Sequence, residues 1–403
     1  VLFNFYLSLY LKAQGVTDQQ IGYLIAIGFV SGTIFSMLSG AITDYLGRKK
    51  TTIIFDLIAW PLAIALYAVA NNFWLFALAA VCNSVMRVTA VSFNLMLVED
   101  ADEQQRKAAY TLINMINIFS GLFTPLAGLL VKNLGIITAE RILMMFAVVS
   151  MSTMMLLRNR RYVETRMGNE ILNERQAQKA GFGFTAFAGT FRSLAKKPSI
   201  SLAMSVLILF NLYLPLGTLN SMYFAPYLTE HLKLDQSLIS VLGGVNSLTI
   251  FGVLTCLLPR IPQGIFPLLA GLLLQMTSLV VLILIPPGYF GGVVVAVILY
   301  AFGFGLFRPL IDALFAEVTE GKERAGLYGI NNTLIAVFSA LTGFFSGRLY
   351  HQAPVAIFYL SFLILLLCTG GLIIYVFVEK KRCVQDKFNL AEKGFRNGEK
   401  EPF

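Results

Sequence analysis

The sequence predicts an all-α integral membrane protein: twelve transmembrane helices in two pseudo-symmetric six-helix halves, the first helix truncated. Three observations carry that prediction. Charge is scarce, apolar stretches of bilayer length recur along the chain, and the second half repeats the first at a fixed offset.

The 403 residues are 57% hydrophobic and 13% charged, and mean hydropathy is +0.73. A soluble domain carries about 25% charged residues, because a water-facing surface needs them. Half that share excludes a soluble globular protein. The net charge of +9 does not imply a nucleic-acid partner, since the basic residues gather in particular loops. Cys82, Cys256 and Cys368 lie in apolar segments and Cys383 in a polar tail, far apart in sequence. His231 and His351, the two histidines, lie in short polar loops. No spacing suits a disulfide or a metal, so no cofactor is expected.

A membrane helix needs about 20 apolar residues. The spans read as 1–11, 21–43, 51–70, 73–97, 108–131, 138–157, 200–228, 237–258, 264–286, 291–316, 326–347 and 354–378. The first is too short: about eleven residues cover about 17 Å of a hydrocarbon layer about 30 Å thick. The organisation is therefore a first half over 1–157, a linker over 158–199, a second half over 200–378 and a tail over 379–403.

Lys and Arg give the orientation. Arg48, Lys49, Lys50, Arg106, Lys107, Arg260, Lys322 and Arg324 share one side with the basic linker and tail. Lys12, Lys132, Arg141, Lys233 and Arg348 are on the other. The richer side is expected to be cytoplasmic, with both termini. In the linker, Phe184, Phe187, Phe191 and Leu194 at helical spacing predict a helix lying on the leaflet. The stretch 158–180 reads as a solvated helix, and the polar tail as disordered.

The repeat has an offset of 218 residues. Asn94, Glu99, Arg106, Tyr110 and Asn114 align without a gap on Asp312, Glu317, Arg324, Tyr328 and Asn332, and Ile21 and Leu24 on Ile239 and Leu242. By that offset the first span begins about 18 residues ahead of Val1. A doubled six-helix unit in a membrane points to a transporter with its site near the midplane, between the halves.

Between spans 2 and 3 stand Gly40, Asp44, Gly47, Arg48, Lys49 and Lys50. This run resembles the signature loop of the major facilitator superfamily, G-x-x-x-D-[RK]-x-G-[RK]-[RK], with Tyr45 in place of the usual base. With twelve spans, the central loop and the repeat, the resemblance covers essentially the whole chain. It implies alternating access, a cavity lined by spans 1, 4, 7 and 10, and a latch in which Asp44 meets the start of span 11 near Glu323–Gly329. Physically, Gly28, Gly32, Ser36 and Gly40 form a small-residue face that lets helices approach, and a carboxylate at its end suits a helix N-terminus. Arg48 and Lys49 would lie beside Glu99 and Asp100. The Glu99/Arg106 and Glu317/Arg324 pairs read as a clasp at the basic end or as solvated ion pairs. Ser120, Thr124, Pro125 and Gly128 partly resemble the family's antiporter motif, or form a kinked packing face.

Away from the span ends, four charges fall inside spans: Asp56, Arg87, Arg308 and Asp312. Each costs at least about 2.5 kcal/mol at a helix centre, so each is a functional candidate. Asn83, Arg87 and Asn94 share one helical face, and Arg87 has no acid one turn away. Drug antiporters of the family carry a span 4 arginine that would fall near Ala79, so that role is not transferred. Arg308 and Asp312 can neutralise one another. Asp312 and Asp56 are the candidates for proton coupling. Other candidates for the cavity are Tyr110, Asn114 and Asn117 on span 5, Asn211, Tyr213 and Asn220 on span 7, Phe304 on span 10, and Asn331 and Asn332 on span 11.

The expected function is secondary transport of a small, amphiphilic organic solute, as proton-coupled efflux or antiport. The alternatives are an organic-anion carrier using Arg87 and Arg308, and a non-transporting membrane sensor or scaffold. A cavity filled by side chains would favour the scaffold, and an open polar one transport. No nucleophile and base set supports an enzyme. The expected partners are a small-molecule substrate, a proton as coupling ion and the lipid bilayer, with no nucleic acid. The expected form is a monomer in a bacterial inner membrane.

Overall fold

The computed structural model describes residues 4–177, 198–219, 221–261, 264–319 and 324–398, and the regular structure in them is helical. Ten helices there are long and apolar enough to cross a bilayer. They are Asp18–Leu46, Arg48–Val69, Phe73–Leu97, Ile136–Arg161, Ser199–Gly217, Gln236–Arg260, Ile265–Leu284, Phe290–Phe315, Ile330–Gln352 and Ala356–Glu379. They correspond to spans 2–4 and 6–12.

Span 1 is short, as expected, and span 5 differs from expectation. Span 1 is the short helix Leu7–Ala13, buried from Leu7 to Leu11. Span 5 is two helices, Glu103–Leu122 and Thr124–Leu134. Gln104, Gln105, Arg106 and Lys107 make the first too polar to pass as a membrane helix. Pro125 sits in the first turn of the second, where its missing N–H costs no helical bond. Two capping boxes, Thr17 with Gln20 and Asp102 with Gln105, open spans 2 and 5. Gly47, at φ +85°, makes the tight turn between spans 2 and 3.

One expectation for the polar segments fails. The last helix continues through the tail to Gly398. Residues 379–398 contain no proline and are rich in good helix formers, so nothing in them stops the helix. The linker stretch holds the helix Arg166–Ala177, whose described side chains are mostly exposed as expected, with Leu172 packing at Gly47. Phe184, Phe187, Phe191 and Leu194 lie outside the described residues.

The halves meet along two seams related by the repeat. In one, span 2 crosses span 11 backbone to backbone. A Cβ on Gly22 would stand 2.7 Å from the Gly343 carbonyl oxygen, and one on Gly347 2.5 Å from that of Asp18. In the other, span 8 meets span 5. The Thr124 hydroxyl donates to the Ser240 carbonyl at 3.0 Å, and Gly244 packs on Pro125. Ser240 and Gly244 are the repeat equivalents of Gly22 and Ala26. Thr124, Pro125 and Gly128 thus form a packing face. Tyr6 on the flank of span 1 donates to the Gln236 carbonyl at 2.9 Å. Lys12 pairs with Asp18 at 2.8 Å and with Glu230 at 2.6 Å. These contacts cluster at the end opposite the Gly40–Lys50 loop.

Candidate functional site

Away from that closed end, spans 2 and 11 separate around a cavity of about 560 Å³. Span 2 contributes Phe29, Gly32, Thr33 and Ser36, span 4 Arg87, and span 7 Asn211, Pro215 and Thr218. Span 10 contributes Tyr300, Phe304 and Arg308, and span 11 Asn332, Thr333 and Ser339. A second chamber of about 280 Å³ shares Phe29, Arg87 and Pro215 and adds Asn83 and Tyr67.

Arg87 stands where the two chambers join. Span 4 is interrupted just before it, between Phe73–Ser84 and Met86–Val98. The Ser84 hydroxyl bonds back to the Val81 carbonyl at 2.6 Å, a local bond that competes with the helical ladder. Asn83 and Arg87, on either side of the interruption, both line the second chamber, and Asn94 departs from the expected common face. Asn83 donates to the Ala59 carbonyl at 3.0 Å, and Asn94 is exposed outside both chambers. The Arg87 stem lies along span 2, its Cγ 3.6 Å from where a Cβ on Gly32 would be. Among the described residues Arg87 has no ion-pair partner.

Arg308 is neutralised. Its Nε donates to Asp312 Oδ2 at 2.7 Å, and its Nη1 reaches Asn211 Oδ1 at 3.4 Å. The Asn211 amide donates to the Leu207 carbonyl at 2.8 Å, which fixes its oxygen toward the arginine. Phe304 stacks on Phe210 and leans on Tyr300, giving the cavity an aromatic wall.

Several candidates lie elsewhere. Tyr213 is fully buried against Phe210, and Asn331 is buried beside the lining residue Asn332. Asp56 pairs with Arg158 at 3.5 Å, with Thr89 and Trp60 beside it. Arg158 in turn covers the Phe93 ring. This brace ties span 3 to spans 4 and 6 and lies outside both chambers. Asn220 and the side chains of Tyr110, Asn114 and Asn117 lie outside the described residues.

At the basic end, Arg48 is almost completely buried. Its guanidinium bonds Glu99 at 3.0 Å and Asp44 at 3.1 Å. Glu164, just after span 6, accepts the backbone N–H groups of Arg48 at 2.8 Å and Lys49 at 3.0 Å, capping span 3. Thr165 bonds Glu99 as well. The expected neighbour of Asp44 at the start of span 11 and the partners Arg106 and Arg324 have no described side chains; Glu317 is exposed. The ends of the stripe from Gly28 to Gly40 do not serve helix contact, since Cβ atoms at Gly28 and Gly40 would meet nothing within 4 Å, while Gly32 lies against Arg87 and Ser84 of span 4. At Gly32 and Ser36 the stripe makes room for the cavity.

Phe29, Thr33 and Tyr300 are lining residues that the sequence does not announce. Its small residues make span 2 look like a packing helix, and the signal that redirects it is the absence of bulk beside Arg87. Glu140 is equally hidden in the sequence, because it stands near the end of span 6 beside Arg141. It is fully buried, and among the described residues neither carboxyl oxygen has a hydrogen-bond partner.

The sequence profile of the Major Facilitator Superfamily matches residues 1–306 and, in a second overlapping match, 216–396. No curated protein matches the chain. A bacterial homologue of the iron transporter ferroportin, solved in an inward-facing state, superposes with a TM-score of 0.67 at 14% identity, covering 93% of this chain and 94% of that one. The nucleoside transporter NupG gives 0.62 at 16% identity, over 94% and 95%. The human organic anion transporter MFSD10 gives 0.56 at 16% identity, over 92% and 89%. At such identities the likeness is one of fold.

Proposed function

Since the chain belongs to the Major Facilitator Superfamily, we propose that it is a secondary transporter moving a small organic solute by alternating access. The observation that carries this reading is the cavity itself. It lies between the halves, it is open rather than filled by side chains, and hydroxyls, amides and two arginines line it. A scaffold that merely keeps the fold has no use for a cavity-exposed arginine that lacks an ion-pair partner among the described residues, whereas intramembrane charges facing a cavity mark solute pathways.

The basic end is the cytoplasmic one, by the distribution of Lys and Arg. The seams at the Lys12 end then close the outer side, and the cavity faces inward. The two seams and the Lys12–Glu230 pair must part for the outward-facing state. The Arg48–Glu99–Asp44 cluster holds the first half rigid as it rocks.

Coupling to protons is the second part of the proposal, and Asp312 is its site. Its carboxylate occupies Arg308. A proton on Asp312 would release that guanidinium into the cavity, so proton and solute would influence one another's binding, as reciprocal linkage requires. Efflux by antiport and uptake by symport differ in which solute state this switch favours.

The test uses protein reconstituted in liposomes and a panel of labelled organic acids, nucleosides and lipophilic cations, with and without an imposed pH gradient. The transporter reading expects at least one solute to show counterflow above protein-free liposomes. Absence of flux for every solute, together with unchanged stability of cavity variants in their presence, would return the fold to a scaffold or sensor.

A further inference from the structure

Resting on that transporter reading, we infer that the solute is an amphiphilic organic anion of single net charge, its head on Arg87 and its apolar body against Phe29, Tyr300 and Phe304. The charge count decides this. Arg87 and Arg308 are the charged residues among the described lining of the two chambers. Asp312 cancels Arg308 through a 2.7 Å bond, and Arg87 has no such partner among the described residues. One positive charge is left over, at the junction of the chambers.

An occupant expels water from around that guanidinium. A cation there would meet like charge, and a neutral solute would leave Arg87 desolvated and unpaired. A carboxylate or sulfonate supplies the missing charge and matches the planar fork of the guanidinium. A dianion brings one charge too many while Asp312 holds Arg308. The rest of the lining prescribes the body. Phe304 and Tyr300 form one wall and Phe29 stands opposite on span 2, while Asn332, Thr33 and Thr218 can bind a few polar substituents. The smaller chamber beyond Arg87, with Leu24, Ile25 and Met222, is mostly apolar and accepts an extension of the body.

The experiment measures binding to the purified full chain by calorimetry and thermal shift. The probes are 4-phenylbutyrate, its amide, 4-phenylbutylamine, phenylsuccinate and acetate. The expected order places 4-phenylbutyrate at least tenfold tighter than each of the others. Arg87→Gln weakens it at least tenfold, and Arg87→Lys, which keeps the charge, restores most of the loss. Asp312→Asn frees a second charge and shifts preference toward phenylsuccinate. Size-exclusion profiles and the Arg87→Lys variant separate lost binding from lost folding. Equal binding of the amide or the amine, undiminished 4-phenylbutyrate binding in folded Arg87→Gln, or binding of none of the five overturns the assignment. Liposome counterflow keeps the two readings apart. Binding without flux sinks transport and leaves the ligand class standing. Flux of neutral or cationic solutes indifferent to Arg87→Gln does the reverse.

Discussion

Lys12 and Glu230 stand 218 residues apart, the offset of the internal repeat, and they pair with one another across the seam at 2.6 Å. Equivalent positions of two repeats meet only near the pseudo-two-fold axis, so the pair marks that axis at the closed end. Asp18 joins Lys12 at 2.8 Å, and His351 lies 3.7 Å from Asp18. A partly exposed pair is worth under about 1 kcal/mol, enough to move a balanced conformational equilibrium about fivefold. Lys12→Glu is predicted to open this end, and the double exchange with Glu230→Lys to close it again. Labelling of a cysteine at Thr17 or Gln20 by an impermeant maleimide reads the change.

The glycine crossing predicts a larger effect. At Gly347 an added Cβ would press on the Asp18 carbonyl and the Gln19 backbone, neither of which can step aside. Gly347→Val should cost about 1–3 kcal/mol through overpacking, seen as a lower melting temperature. Gly28→Ala, with nothing near its Cβ, should leave it unchanged.

Arg48→Gln is predicted to destabilise the first half by about 3 kcal/mol, because it strands Glu99 beside a buried cluster. Lysine should not rescue it: one ammonium cannot serve Glu99 and Asp44 as the guanidinium does. Thermal unfolding of Arg48→Gln and Arg48→Lys checks both statements.

Asp235 gives a pH-dependent prediction outside the membrane. It caps span 8, and the hydroxyl and amide of Ser237 hold its carboxyl below the ordinary range. A lowered folded pKa means stabilisation present above the unfolded value of about 3.9 and lost as the pH falls through the folded one. Asp235→Ala should therefore melt lower than wild type at pH 7, by about 1 kcal/mol for a lost cap. The gap should narrow as the pH falls below the unfolded value of about 3.9.

Much of the fold is legible in the sequence because lipid imposes it. Each long apolar run has to be a helix, and the repeat marks the halves. Span 5 is not legible as two helices, since its polar first turns sit in a stretch that hydropathy averages away. The tail's polarity suggests disorder although its composition favours helix. In the site, Arg87, Arg308, Asp312, Asn211 and Asn332 come from charge and polarity inside apolar runs, and Phe304 from its place four residues before Arg308. Asn94 and Asn331 are misplaced because a shared helical face does not say how far along it the cavity extends, and helical phase does not separate two adjacent asparagines. Phe29 and Tyr300 are invisible because aromatics in a membrane helix look the same facing lipid or solute.

The most direct test of alternating access locks the closed end and asks which side reaches the cavity. Lys12→His with Glu230→His, beside Asp18 and His351, provides ligands for a zinc bridge across the seam. Ser36→Cys, in a chain with Cys82, Cys256, Cys368 and Cys383 replaced by serine, reports on the cavity. With zinc, maleimide labelling at position 36 should fall at least tenfold from the Lys12 side and persist from the Arg48 side, with full reversal by a chelator. Undiminished labelling from the Lys12 side in the zinc-bridged protein would contradict the account.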